Sequence, residues 1–85
     1  MVRLDAVFAA ADGNTPELAA RLARHAERYR ADVSLECAEK RLCLDSLIGI
    51  LALEMHRGDS VAVIAEGEDA QQAAEEIRAV LQGER

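Results

Sequence analysis

Asp32-Val33-Ser34-Leu35-Glu36-Cys37 and Lys40-Arg41-Leu42-Cys43-Leu44, separated by Ala38-Glu39, are the segments that decide the fold of this chain. Val33, Leu35 and Cys37 alternate with Asp32, Ser34 and Glu36, and Leu42 and Leu44 flank Cys43. A period of two belongs to a strand with one buried face; a helix would repeat its apolar positions every three to four residues. With Ala38-Glu39 as a two-residue hairpin turn, Leu35 pairs with Leu42 and Val33 with Leu44. Cys37 then points into the core and Cys43 the other way, so the two cannot bond to each other. They are expected to be plain structural or surface thiols, reduced in a cytosolic setting.

On either side the alternation recurs. Val2, Leu4, Ala6 and Phe8 alternate with Arg3, Asp5 and Val7 in a first strand, and Val61, Val63 and Ala65 mark a last one that ends at Glu66-Gly67. Asp12-Gly13-Asn14 breaks the first pattern. Thr15 is then a helix N-cap, Pro16 the first helical residue and Glu17 an acid at the positive helix end. Leu18, Ala19, Leu22, Ala23, Ala26 and Tyr29 share one face of that helix, opposite Arg21, Arg24 and Arg28. Ser46 to about Leu53 forms a short apolar helix, and Arg57-Gly58-Asp59 turns the chain. Asp69 and Gln72 resemble a capping box ahead of Ala70, Ala73, Ala74, Ile77 and Leu81, with Gly83 as a stop. The order β-α-β-β-α-β-α predicts an α+β open-faced sandwich, a four-stranded antiparallel sheet covered on one face by three helices, with right-handed β-α-β connections.

The 85 residues suffice for one domain, spanning 1–85, with one modest core. Hydrophobic residues make up 51% but aromatics only 2%, so no aromatic platform for stacked bases is expected. Sixteen acidic residues against ten basic ones give a net charge of -6, which repels phosphate backbones and anionic membranes. Protein partners are expected, with no nucleic acid and no membrane. The apolar runs are shorter than the ~20 residues of a membrane span and the first residues show no signal-peptide pattern, so a soluble cytoplasmic protein is expected.

No catalytic constellation stands out. His25 borders the apolar stripe of the first helix and His56 precedes a turn, and neither has a nucleophile or carboxylate partner at a defensible spacing, so both are expected at the surface. Glu75-Glu76 is expected on a solvated helix face. No metal or cofactor is expected, because the two histidines and two cysteines do not have zinc-ligand spacing. Ser46 differs. On a helix, Leu47, Ile48 and Leu51 fall on one arc and Ile50 and Leu53 on another, and only one arc can face the sheet. The remaining arc is an apolar patch beside a hydroxyl, a pattern that marks binding surfaces. Ser46 could cap the helix, accept phosphate at its N-terminus, or carry a prosthetic group; residue chemistry alone favours the cap.

Gly13 before the first helix, Ala31-Asp32-Val33, Ser46-Leu47-Ile48-Gly49, Gly58 and Val61-x-Val63-x-Ala65-Glu66-Gly67-x-Asp69 together resemble the HPr family, small phosphocarriers of the bacterial sugar phosphotransferase system. The resemblance implies the fold given above and a Gly-Leu-His-Ala-Arg-Pro-Ala segment whose histidine passes phosphate from Enzyme I to Enzyme II components. This chain places Thr15 at the histidine position and Glu17 at the arginine position, which implies a degenerate phosphocarrier site. Ser46 aligns with the serine that HPr kinase/phosphorylase modifies. Members of Crh type, which lack the histidine and keep the serine, bind the repressor CcpA when phosphorylated. The resemblance therefore implies phosphorylation at Ser46 and partner contacts through Leu47, Ile48 and Leu51; the sequence leaves a homodimer open. Glu17 and Asp45 depart from the family pattern at partner contacts and beside the acceptor. Asp45-Ser46-Leu47 with Ala52-Leu53-Glu54 also resembles the phosphopantetheine attachment motif of acyl carrier proteins, but those are all-helical. A third alternative is a degenerate HPr-like binding module in which Ser46 is only a cap.

Overall fold

A computed structural model describes residues 1–45 and 47–83. Its elements are β1 (Val2–Val7), α1 (Pro16–Glu27), β2 (Asp32–Cys37), β3 (Lys40–Cys43), α2 (Leu47–Ala52), β4 (Ser60–Glu66) and α3 (Ala70–Leu81). The strands form one sheet in the order β1-β4-β2-β3, and every neighbouring pair is antiparallel. Sequence-adjacent β1 and β2 are therefore separated by β4, and β3 and β4 by β2, so each helical crossover spans an intervening strand. The predicted α+β sandwich and element order are the observed ones.

The hairpin register is the expected one, with Leu35 opposite Leu42, and the Leu44 N–H donates to the Val33 carbonyl at 2.9 Å. Ala38 and Glu39 turn the chain with φ of 52° and 69°, the pair of left-handed residues that matches the twist of a two-residue hairpin. Cys37 is buried and Cys43 exposed, as the alternation requires, and neither is in a disulfide. Val33, Leu35, Val61, Val63, Ala6 and Phe8 meet Leu18, Ala19 and Leu22 of α1 and Ala73, Ala74 and Ile77 of α3 in one core cluster.

Two expectations change. The alternation in β4 does not expose its other face: Ala62 and Ile64 are also buried. Arg3 on β1 and Glu36 on β2 pair at 3.4 Å across β4, and this ionic strap covers the two apolar side chains between them. Asp69 and Gln72 do not form a capping box. The Asp69 side chain caps nothing in α3; its carboxylate accepts the Arg30 N–H at 3.0 Å and the Ala31 N–H at 2.9 Å, where α1 hands over to β2. Gly67 allows that close approach, because a Cβ there would lie 3.0 Å from the Ala31 Cα.

Candidate functional site

The second helix has six residues, less than two turns, so its own hydrogen bonds cannot hold it and packing must. Ile50 is 0% exposed and Leu53 1%, which anchors one arc in the core. Ile48 is 82% exposed, Leu47 46% and Leu51 42%. This is the division of arcs predicted from the sequence: the anchored side leaves three large aliphatic side chains facing water. Ser46, the predicted phosphate acceptor, directly precedes this helix in sequence and lies outside the described residues.

Thr15 and Glu17, expected from the sequence to be a degenerate carrier site, lie at the start of α1. Thr15 is its N-cap, and Thr15 Oγ1 accepts the Leu18 N–H at 3.2 Å; Pro16 occupies the first turn, and Glu17 is exposed there. The hydroxyl thus satisfies one of the amides that a helix start leaves open, as its neighbours in sequence predict. Thr15 and Glu17 together offer no imidazole and no cation.

Asn14, which sequence reasoning passed over as part of a broken turn, joins the two regions. Its Nδ2 donates to the Ile50 carbonyl at 2.6 Å and to the Leu53 carbonyl at 2.8 Å, both at the C-terminal end of α2. A polar residue beside a glycine was the only signal in the sequence, and it cannot reveal a partner 36 residues away.

His56 is exposed as expected, but the expectation that neither histidine has a carboxylate partner is corrected. His25 does meet a carboxylate: its Nδ1 lies 2.6 Å from Glu76 Oε2, and Glu76 also accepts from the Tyr29 hydroxyl at 2.8 Å and the Arg28 guanidinium at 3.4 Å. Glu76 is buried at 7% exposure, and is not on a solvated face. Burial pushes its pKa up, but the hydrogen bonds from His25 and Tyr29 and the charges of Arg28 and His25 outweigh that and hold it below the usual carboxylate range. His56 Nδ1 lies 3.5 Å from Asp59, whose carboxylate accepts the His56 N–H at 2.9 Å and closes the turn before β4. Both groupings tie local structure together and neither holds a nucleophile. Among the described residues no three His, Cys, Asp or Glu side chains are placed to share a metal ion, and no helix is long and apolar enough to cross a membrane.

The sheet is incompatible with the all-helical acyl-carrier alternative for Ser46. Comparison with known proteins points elsewhere. The family model described as PTS HPr component phosphorylation site matches residues 6–83. The HPr-like protein Crh of Bacillus subtilis is 38% identical over 66 residues, 78% of each chain. A crystal structure of the phosphocarrier protein HPr from Bacillus anthracis superposes with a TM-score of 0.89 at 28% identity, covering 95% of this chain and 96% of that one. The crystal structure of Bacillus subtilis Crh, described as a domain-swapped dimer, gives a TM-score of 0.79 at 34% identity, covering 100% of this chain and 91% of the other. The chain belongs to the HPr family of the phosphotransferase system and is of Crh-like type.

Proposed function

We propose that this protein is a regulator of the phosphotransferase system that has lost histidine phosphocarrier activity. In this reading HPr kinase/phosphorylase phosphorylates Ser46, and the phosphorylated form docks onto a CcpA-like regulator in carbon catabolite repression. Residues 1–85 act as one cytoplasmic domain, catalyse no reaction themselves and use no cofactor. The observation that carries the reading is the exposed patch of Leu47, Ile48 and Leu51, immediately after Ser46 in sequence. Ile48 is largely in water and Leu47 and Leu51 partly so, and burial of this aliphatic surface against a partner would remove the cost of exposing it. The use of Thr15 as a helix cap and the exposed acid at Glu17 support the loss of carrier chemistry: neither side chain can form a phosphohistidine or steady one.

The partner-binding part is tested by titrating a CcpA-like regulator with protein phosphorylated by HPr kinase. Phosphorylated native protein should bind at least about tenfold more tightly than unphosphorylated protein, about 1.4 kcal/mol. Ile48→Asp should abolish most of that gain while leaving stability within about 0.5 kcal/mol, because the side chain it replaces is largely in water. Equal binding by Ile48→Asp would remove the patch from the interface. A homodimer, the state described for Bacillus subtilis Crh, is part of the proposal, and light scattering should detect it at high protein concentration.

A further inference from the structure

The contact between Asn14 and α2 gives the degenerate carrier loop a use. The six residues of α2 present aliphatic surface to water, and Ile50 within the helix and Leu53 just after it are the fully buried apolar anchors there. Apolar contacts resist lifting but fix rotation poorly, because they are non-directional. The Asn14 amide supplies direction by donating to two carbonyls at the end of the helix, at 2.6 Å and 2.8 Å. Those carbonyls belong to the residues whose side chains anchor the helix. The loop that carries Asn14 is itself pinned. Gly13 has φ of 75° and packs so tightly that a Cβ would lie 3.2 Å from the Met55 carbonyl, while Thr15 starts α1 with its own capping bond. Adjacent side chains therefore secure two helices, Thr15 the first and Asn14 the second.

We infer that Asn14 is a positioning residue for the docking surface, a latch that fixes the C-terminal end of α2 and with it the direction in which Leu47, Ile48 and Leu51 face. The inference rests on the proposed role of that patch, but its test does not depend on phosphorylation.

Amide hydrogen exchange by NMR on the unphosphorylated native protein, Asn14→Asp and Asn14→Leu tests it. Asn14→Asp keeps the shape but turns the donor into an acceptor facing two carbonyls; Asn14→Leu removes the donor without adding a charge should the first variant fail to fold. Exchange at the amides of residues 50–53 should rise roughly tenfold or more in either variant, with residues 61–65 of β4 and 73–77 of α3 unchanged. In the native protein the Asn14 side-chain amide protons should themselves exchange slowly. Native side-chain protons that exchange as fast as those of a free asparagine, no change at α2, or an equal rise throughout the molecule would each overturn the latch. Failure of Ser46 to accept phosphate would leave these results untouched and would count only against the regulatory reading.

Discussion

Glu76 keeps a charge inside the contact between α1 and α3 because His25, Tyr29 and Arg28 all donate to it. An uncompensated buried carboxylate would cost several kcal/mol, so its partners decide whether it stabilises the protein. Its pKa lies below the ordinary value, so the sign is that of a depressed acid: its contribution is complete above the unfolded glutamate pKa of about 4.3 and is lost as pH falls through the lower folded value. Glu76→Gln should lower stability by about 1–3 kcal/mol at pH 7 in urea unfolding, and the gap should narrow below about pH 4. A gap independent of pH would refute the ionic account. The thiols make a second contrast. Burial, aided by the charge of Asp59, pushes the Cys37 pKa up, while Cys43 is exposed. Iodoacetamide at pH 8 should modify Cys43 in the folded protein and reach Cys37 only after unfolding, as peptide mapping would show. The sides taken by the two cysteines were legible from alternation alone. The burial of Glu76 was not, since the donors that neutralise it come from the last turn of α1 and the two residues just after it.

At the scale of elements, local chemistry was most legible where a segment's partners are close in sequence. Thr15-Pro16-Glu17 announced the start of α1, and the two arcs of α2 followed from its winding. The hairpin register followed from its two-residue turn, although Ala38 and Glu39 are poor residues for it. Each sits in the left-handed region, which costs a residue with a Cβ roughly 1–2 kcal/mol. Glu39→Gly should therefore raise stability by about 1 kcal/mol in thermal or urea unfolding, and a loss of stability would show that Glu39 makes a compensating contact. Asp69 was misread because it matches an N-cap pattern with Gln72. The Arg30 and Ala31 amides compete for the same carboxylate, and their loop is near it only in the folded chain.

For the whole molecule, the class of fold was readable because three separated stretches keep the period of strands while the segments between them keep that of helices. Strand order was less accessible. The position of β4 between β1 and β2, and the Arg3–Glu36 pair that spans it, depend on pairing between distant segments. The candidate site divides in the same way: the exposed arc of α2 was predictable, whereas the Asn14 hydrogen bonds that tie that helix to the Thr15 loop were not. Any phosphate this protein carries is thus expected on Ser46, and none on the Thr15 loop. Intact-mass spectrometry after parallel incubation with HPr kinase and ATP, and with Enzyme I and phosphoenolpyruvate, tests it directly. One added phosphate is expected in the first reaction, absent from Ser46→Ala, and none in the second; an unmodified native protein with the kinase, or stable labelling by Enzyme I, would refute the assignment.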